Sequence, residues 1–463
     1  MTDENDTDTD SAEESLQAAV EAFLTDADAA LDEYDRGYAG SSGHTSRSCA
    51  NGSRSDRVPG IVRTVRATVP PSGSPARSGR DVPRPEHTGR RDANPRVMTA
   101  HADATTPVEL ATVDVSAAGG RPKVILGDLT GDGRMELLLV QGDDIDATYH
   151  PHQVTSLTAI DLDGEVRWQV GDVDPEGGGH GADFPAQVWD VDGDGFNEVV
   201  CVVDDEFRVI DGRTGETLER HDLPAPEAHD CIVPADLSGD GTRSEVIVKD
   251  RYSQVWALDA EFETLWTHEG NTGHFPWPYD VDADGREEVM VGYDFLGPDG
   301  EHRWSTKDLD EHADCIWVAD LDGTGDPEVV IGEGGVYAYD PDDGTEIWRN
   351  TNPREVQHVA PGNFLPEEPG LQVAGLDRIV RGGRDRTGRD GIFLVDRDGE
   401  MIRKEDRDPG GWLTIIEPMT AWDDRERDYI LAWRRGGGTN PTLYDGQLNP
   451  VVTFPEDGDV AHA

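Results

Sequence analysis

Five short segments of the chain carry oxygen-bearing side chains at nearly the same spacing. They span residues 127–136, 189–198, 235–245, 279–288 and 319–328. In each segment, carboxylates or hydroxyls fall at positions 1, 3, 5 and 9 from the opening aspartate, and the third copy has one additional residue. Glycine at position 6 permits a sharp turn that brings these oxygens around one point, as a hard cation such as Ca²⁺ requires. The sequence therefore predicts five calcium-binding loops.

The candidate calcium ligands are the side chains at these positions: Asp128, Asp132, Glu136, Asp190, Asp192, Asp194, Glu198, Asp236, Ser238, Asp240, Glu245, Asp280, Asp282, Asp284, Glu288, Asp320, Asp322 and Glu328. An EF-hand needs its bidentate glutamate at position 12 and a helix on each side. Here the acid stands at position 9, and valine-rich strand signals follow, as in 199–203 and 246–248. Ordinary acidic turns are the other alternative, because Asp and Gly are common turn residues. Five copies in register favour ion binding.

Histidine and aspartate recur at a second place in the repeat, a few residues before each loop. The histidines are His180, His229, His274, His312 and His358, and the aspartates are Asp183, Asp230 and Asp314. Converging imidazoles and carboxylates can bind metal, accept protons or hold a polyhydroxylated ligand. The candidate catalytic residues are His229, Asp230, His274, His312 and Asp314, with His274 or His312 as the base. The alternative is that an ancestral repeat passed on a histidine kept for hydrogen bonding. Further candidates for the same face are Trp277, Arg378, Arg381 and Trp412.

These motifs belong to a repeat that recurs along residues 105–463. Its loops open at residues 128, 190, 236, 280, 320, 363 and 423. The last two copies, which open at Asn363 and Asp423, lack the ligand pattern, so we predict no ion there. Each repeat carries four strand signals in about 40–50 residues, which is typical of a β-propeller. We predict an all-β, seven-bladed propeller with four-stranded blades. Eight blades stay open as an alternative, because residues 108–113 resemble a remnant strand.

The propeller prediction also places the two sets of residues relative to each other. The first strand of every blade runs along the central axis, so the histidines and aspartates converge on one face and the acidic loops on the opposite face. Tryptophan recurs in the fourth strand as Trp168, Trp266, Trp304 and Trp348. Sugar stacking and packing between neighbouring blades are the two interpretations of these tryptophans, and we favour packing.

Charge divides the chain into three zones. Its 463 residues include 96 acidic and 40 basic side chains, for a net charge of −56. Residues 1–40 predict one acidic amphipathic helix. Residues 41–104 predict a disordered segment rich in Arg, Pro and Ser, and residues 41–98 hold eleven arginines, no lysine and four acids. A basic linker, a nucleic-acid-binding arm and an out-of-frame translation product are the hypotheses for this segment, and we favour the last.

The composition also excludes several classes of protein. A surface this negative repels polyanions, so nucleic acid and anionic membranes are not expected partners. No apolar run is long enough to span a membrane, and the acidic start predicts no signal peptide, so a cytoplasmic location is expected by default. Cys49, Cys201, Cys231 and Cys315 form no CxxC motif and predict neither a disulfide framework nor a zinc site. The acidic excess resembles that of proteins from salt-saturated cytoplasm, so a halophilic source is expected.

The loops resemble FG-GAP and VCBS-type calcium-binding propeller repeats. Two segments are also similar to family 11 rhamnogalacturonan lyases: Gly273-His-Phe-Pro-Trp-Pro-Tyr-Asp-Val-Asp-Ala-Asp-Gly285 and His312-Ala-Asp-Cys-Ile-Trp-Val-Ala-Asp320. This resemblance covers roughly residues 120–355. It implies a calcium-bearing propeller that cleaves an acidic polysaccharide by β-elimination. The alternative is a non-catalytic, calcium-stabilised interaction scaffold that holds a protein ligand at its central face.

Overall fold

The computed structural model describes residues 63–68, 107–143, 151–177, 182–306, 309, 313–377, 391–406, 415–420, 422, 427–433 and 440–454. This part of the chain is almost entirely β-structure, and its one helical element is a 3₁₀ turn at Ser116–Ala118. No helix in these ranges is long and apolar enough to cross a membrane. The predicted helix in residues 1–40 lies outside the described residues, and so does most of the 41–104 segment.

The first two strands form a small parallel sheet of their own. They are β1 (Arg63–Thr68) and β2 (Val108–Asp114). β1 lies inside the segment for which the sequence predicts no regular structure. β2 contains the residues that resemble a remnant of a further blade, and its described partner is β1. Val113, Val115 and Ala118 pack against Leu137 and Ile160, so the segment after β2 covers an apolar surface of the next sheet.

In the described part of the chain, β3–β30 form seven successive antiparallel sets of four strands, here called sheets 1 to 7. Sheet 1 contains β3 (Lys123–Gly127), β4 (Glu136–Gly142), β5 (Val154–Ile160) and β6 (Val166–Gly171), and sheet 2 contains β7 (Ala186–Trp189), β8 (Glu198–Val203), β9 (Glu206–Asp211) and β10 (Thr217–Asp222). Sheet 3 contains β11 (Cys231–Ala235), β12 (Glu245–Lys249), β13 (Gln254–Leu258) and β14 (Thr264–Glu269), and sheet 4 contains β15 (Trp277–Tyr279), β16 (Glu288–Val291), β17 (Asp294–Leu296) and β18 (His302–Ser305).

Sheets 5 to 7 repeat the same order. Sheet 5 contains β19 (Cys315–Ala319), β20 (Glu328–Gly332), β21 (Val336–Tyr339) and β22 (Glu346–Asn350). Sheet 6 contains β23 (Val356–Gly362), β24 (Gln372–Asp377), β25 (Gly391–Val395) and β26 (Met401–Asp406). Sheet 7 contains β27 (Ile415–Met419), β28 (Tyr429–Trp433), β29 (Thr442–Tyr444) and β30 (Pro450–Thr453). A single parallel bridge between Val154 and Val203 joins sheets 1 and 2. First strands lie beside one another in sequence order, as β7 does between β3 and β11, and β23 between β19 and β27. The architecture is β-propeller-like.

The apolar core lies between consecutive sheets. Side chains alternate across a strand, so each sheet contributes to two layers. In sheet 3, Val246 and Val248 pack toward sheet 2, whereas Ile247 and Val255 pack toward sheet 4. The strands are therefore apolar on both faces, which explains continuous runs such as residues 199–203 in a chain of modest hydrophobicity.

The recurring tryptophans pack between neighbouring sheets, as predicted from the sequence. Trp168 donates its Nε1–H to the Gly212 carbonyl of sheet 2 at 2.6 Å, and Trp304 donates to the Pro341 carbonyl of sheet 5 at 2.6 Å. A glycine in the same turn lies under each ring. A Cβ on Gly215 would come within 2.7 Å of Trp168. The tryptophans therefore contribute to the contact between sheets, and Trp168 and Trp304 are more than nine-tenths buried.

The three described cysteines are buried and unpaired. They are Cys201, Cys231 and Cys315. Burial raises the pKa of the Cys201 thiol to about 12, and it also raises the pKa values of the Cys231 and Cys315 thiols. None of the three is a candidate nucleophile, because a reactive thiol needs a depressed pKa.

Candidate functional site

The five acidic loops join the first and second strands of sheets 1 to 5. In each, the opening aspartate directly follows the first strand and the closing glutamate begins the second. The closing glutamate pairs across the hairpin with the last residue of the first strand, as Glu288 does with Tyr279 and Glu328 with Ala319. This register is the same in all five loops. The predicted strand on either side of the loop is confirmed, and the helices of an EF-hand do not occur there.

Hydrogen bonds wrap each loop around its opening aspartate. In the fourth loop, Asp280 accepts from the backbone N–H of Asp284 at 3.1 Å and of Gly285 at 2.9 Å. Glu288 accepts from the Val281 N–H at 3.1 Å. The glycine at position 6 adopts a left-handed conformation in every loop, with a φ of 94° at Gly285. A residue with a Cβ is strained there, so the glycine keeps the loop tight.

In two of the loops, the carboxylates lie close enough together to hold one ion in each loop. Oxygens of Asp190, Asp192 and Asp194 lie within 4.8 Å of one another, and so do oxygens of Asp280, Asp282 and Glu288. The buried Asp190 Oδ1 has no hydrogen-bond partner among the described residues. A buried carboxylate oxygen without a partner is costly, and a cation would satisfy it. The residues present therefore fit a hard, oxygen-seeking cation.

The closing glutamates lie among other acids, and all of them are buried except Glu328, which is half-buried. Burial, together with the aspartates of the same loop, raises the pKa of Glu198 to about 7 and that of Glu328 to about 7. The pKa values of Glu136, Glu245 and Glu288 are raised in the same direction, first of all by burial. A bound divalent cation would favour the ionised carboxylates and reverse this shift.

A second cluster lies at the opposite end of the first strands, here called the His/Asp end. His274 places Nδ1 2.9 Å from Asp183 Oδ2, and its Nε2 lies 3.8 Å from Asp314 Oδ1. His274 comes from the connection between sheets 3 and 4, Asp183 from the residues before β7, and Asp314 from the residue before β19. Burial alone would raise the pKa of Asp183, but His274 and Arg251 outweigh it and hold that pKa far below its usual range. An ionised Asp183 can orient the imidazole and stabilise its protonated form.

Basic side chains from sheet 3 complete this cluster. Arg251 lies in the turn between β12 and β13 and contacts Asp230 Oδ1 at 2.7 Å and Asp183 Oδ2 at 3.5 Å. Lys249 and Asp230 are fully buried and lie 3.3 Å apart. Lys249 also donates to the Arg251 carbonyl at 2.7 Å. The chain of contacts therefore runs from Lys249 through Asp230 and Arg251 to Asp183 and His274.

Lys249, Arg251 and their neighbour Tyr252 were not predicted from the sequence. The Tyr252 ring meets the His274 ring edge-on at 5.5 Å, and burial raises the pKa of its hydroxyl. The scarcity of lysine is a signal in the sequence that could have pointed to this cluster. The chain has four lysines, and Lys123 also reaches this cluster, where it donates to the Ala182 carbonyl and, at 2.9 Å, to that of Asp183.

Other predicted residues of this end are placed elsewhere. His229 is buried, its Nδ1 has no hydrogen-bond partner among the described residues, and burial lowers its pKa against the effects of the His152 carbonyl and nearby carboxylates. His358 Nδ1 lies 2.7 Å from the Ile416 carbonyl of β27. The structure thus brings together His274, Asp183, Asp230 and Asp314, but neither His229 nor His358.

Of the aromatic and basic side chains predicted for this face, only Trp277 lies within the described residues. Trp277 is buried against Trp317, with ring centroids 4.7 Å apart, in the layer between sheets 4 and 5. His180, His312, Arg378, Arg381 and Trp412 lie outside the described residues.

Comparison with known proteins supplies structural neighbours only. No protein-family model matches the chain. No curated protein matches it. The crystal structure of the exotype rhamnogalacturonan lyase YesX has a TM-score of 0.54 and 20% identity, over 74% of this chain and 65% of that one. The rhamnogalacturonan lyase YesW has a TM-score of 0.50 and 18% identity, over 74% and 73% of the two chains. This chain therefore spans less than two thirds of YesX. At such identity the likeness shows the fold alone, and that fold is β-propeller-like.

Proposed function

We propose that this protein binds an acidic polysaccharide at its His/Asp end and cleaves it by rhamnogalacturonan-lyase-like β-elimination. The observation that carries the proposal is the His274–Asp183 pair at 2.9 Å, beside Arg251 and Asp314. The Asp183 carboxylate on Nδ1 fixes the ring, and Nε2, which lies 3.8 Å from Asp314 Oδ1, is the atom that would act as the base. His274 is 21% exposed, so a ligand can reach it.

In the proposed reaction, His274 Nε2 removes the proton from the carbon next to the uronate carboxylate. The electron pair forms a carbon–carbon double bond, and the bond from the adjacent carbon to the glycosidic oxygen breaks. That oxygen takes a proton from water as it leaves, and an unsaturated uronate remains on the other product. Asp183 stabilises the imidazolium that forms. Arg251 can offset the charge that develops on the uronate carboxylate, as a positioned cation does in such a step.

The distribution of lysine supports an anionic ligand at this end. Lys123 and Lys249 both reach the cluster, and Lys404 contacts Asp377, the last residue of β24 and therefore at the same end. The acidic loops lie at the other end.

We further propose that the acidic loops bind Ca²⁺, that calcium stabilises the fold, and that sheets 1 to 7 close into one propeller spanning residues 105–463. The convergence of Asp280, Asp282 and Glu288 and the unpartnered Asp190 oxygen support the ion sites. A bound ion would attract the opening aspartate and the closing glutamate of a loop, and would thereby hold the first and second strands of the sheet together.

A non-catalytic scaffold is the second candidate. Arg251 already contacts two carboxylates, Asp183 and Asp230, so a substrate carboxylate has to compete with them. On this alternative, the cluster holds sheets 2, 3 and 4 together, and the ligand is a protein.

The two candidates differ in one assay. The protein is incubated with rhamnogalacturonan and Ca²⁺ in high salt, to suit its acidic composition, and absorbance of the unsaturated uronate is followed. The lyase proposal expects absorbance that grows with time and with protein concentration. No absorbance with rhamnogalacturonan or any other acidic polysaccharide would favour the scaffold.

A further inference from the structure

The third and fourth acidic loops, residues 236–245 and 280–288, are joined to each other by hydrogen bonds. The backbone N–H of Glu287 donates to the Asp236 carbonyl at 2.8 Å, and Glu287 Oε2 accepts from the Asp236 N–H at 2.8 Å. One residue of the fourth loop therefore bonds both backbone groups of the residue that opens the third loop.

Two arginines strengthen this junction. Arg243, in the third loop, donates to Glu287 Oε1 at 2.5 Å. Arg286, in the fourth loop, donates its Nε–H to the Leu237 carbonyl at 2.8 Å. Glu287 is only 5% exposed, so its carboxylate depends on these protein partners rather than on water.

The two loops also approach each other closely. A Cβ on Gly239 would lie 2.7 Å from Arg286 Cγ and 3.1 Å from the Gly285 carbonyl oxygen. Gly239 stands at position 4 of the third loop, counted from its opening aspartate. A glycine at this position therefore permits the contact between the loops.

Positions 7 and 8 of the second loop join it to the first loop in a related way. Asn197, at position 8, donates its Nδ2–H to the Asp128 carbonyl at 3.0 Å. Phe196, at position 7, lies against Gly131, where a Cβ would come within 2.5 Å of the ring. In the fifth loop, Pro327 stands at position 8 and has no N–H to donate. The junction thus recurs in two pairs of neighbouring loops.

The junction of the third and fourth loops lies beside the ion-binding carboxylates of the fourth. Glu287 directly precedes Glu288, whose carboxylate converges with those of Asp280 and Asp282. Residues around these carboxylates lose conformational freedom when an ion binds. Because the third loop already restricts Arg286 and Glu287, part of that freedom is lost before the ion arrives. Preorganisation of this kind raises affinity.

We infer that the third loop holds the fourth in its ion-binding shape, with Arg243 and Glu287 as positioning residues. This inference rests on the proposed calcium site of the fourth loop. Coupling is reciprocal, so an ion in the fourth loop would also stabilise the third. For removal of Arg243, positioning and charge predict opposite results. Loss of positioning weakens calcium binding, whereas loss of a positive charge near the carboxylates strengthens it.

The calcium-dependent shift in melting temperature of the full chain tests this coupling. Arg243→Met should reduce the shift, in line with a fall in affinity of about fivefold or more at one site. In the Asp282→Ala background the fourth loop lacks a ligand, so Arg243→Met should change the shift no further. In the Asp192→Ala background, which alters the second loop, it should still reduce the shift. Arg220→Met is the control, because the ion pair of Arg220 with Glu206 joins the third and fourth strands of sheet 2.

Gly239→Ala provides a second variant that keeps every charge in place. Its Cβ would press on Arg286, whereas Gly323→Ala, at the same position of the fifth loop and the same φ of 77°, adds a Cβ with no described atom within 4 Å. The part of the shift that Asp282→Ala removes should be smaller in Gly239→Ala than in Gly323→Ala.

A shift that Arg243→Met leaves unchanged or enlarges, or reduces equally in the Asp282→Ala background, would overturn the coupling and leave the calcium sites standing. The absence of any calcium-dependent shift in the unaltered protein would overturn both.

Discussion

Trp266 of sheet 3 lies directly against Gly300 of sheet 4. Its Nε1–H donates to the Pro298 carbonyl at 2.9 Å, and a Cβ on Gly300 would come within 2.6 Å of the indole ring. The same contact between an indole ring and a glycine joins Trp168 to Gly215, Trp304 to Gly344 and Trp348 to Gly399. Contact between consecutive sheets therefore depends on a glycine in each of these turns.

Gly300→Ala should destabilise the protein by more than backbone strain accounts for. Overpacking a well-filled contact costs about 1–3 kcal/mol. Gly164→Ala is the matched control, because Gly164 occupies the same turn of sheet 1 with a φ of 85°, and the nearest described atom to a Cβ is 4.0 Å away. Denaturant unfolding should show the larger loss for Gly300→Ala. Equal losses would mean that the tryptophan contact contributes little.

Removal of calcium should lower the melting temperature. Binding to the native state adds about 2.7 kcal/mol per site at a hundredfold excess over Kd. Asp282→Ala should reduce the calcium-dependent shift, because Asp282 converges with Asp280 and Glu288. Glu367→Ala is the control, an exposed acid in the loop of sheet 6 that lacks the ligand pattern. Melting curves with calcium and with EDTA measure the effect, and identical shifts in both variants would contradict it.

Lys249→Met should be strongly destabilising. Lys249 and Asp230 are both fully buried, and removal of one partner of a buried pair costs about 3–5 kcal/mol. The Lys249→Met/Asp230→Asn variant should recover part of the loss, because it no longer leaves a buried carboxylate short of one cation. Denaturant unfolding of both variants measures the difference. A double variant less stable than the sum of its single variants would contradict the pairing.

Glu417→Gln should stabilise the protein increasingly as pH rises. The surrounding protein desolvates the half-buried Glu417 on β27 and raises its pKa from 4.5 to about 8. Between these values the unfolded state is ionised while the folded state keeps its proton, so the folded state binds more protons and its stability falls with rising pH. Denaturant unfolding at about pH 5 and about pH 9 should show the gain mainly at the higher pH. A gain that is the same at both pH values would contradict this account, and Glu216→Gln, at an exposed glutamate, is the control.

The acidic loops and their strands could be predicted because their signal is local. Carboxylates at fixed positions and one left-handed glycine, such as Gly285, define each loop without reference to the rest of the chain. The tryptophans could be predicted for the same reason, because they recur at one place in the repeat.

The His/Asp cluster could be predicted only in part, because spacing along the chain does not fix which side chains meet in space. His274, Asp230 and Asp314 each stand six residues before their loops, but Asp183, which contacts His274, stands seven before, as His229 does. Asp183, His229 and His274 lie in the connections before the first strands, where the alternation of side chains along a strand does not apply. Arg251 lies in the turn between β12 and β13, outside the acidic loop and the His/Asp positions that recur in the repeat.

The initial rate of unsaturated-uronate formation by His274→Gln, measured beside its calcium-dependent melting temperature, tests the central claim most directly. Loss of a general base lowers the rate by about 10²–10⁴-fold. The account predicts a loss of that size with an unchanged calcium-dependent shift, because His274 and the acidic loops lie at opposite ends of the first strands. Asp280→Ala should instead reduce the shift first. An unchanged rate in His274→Gln would contradict the assignment of the reaction to the His/Asp end.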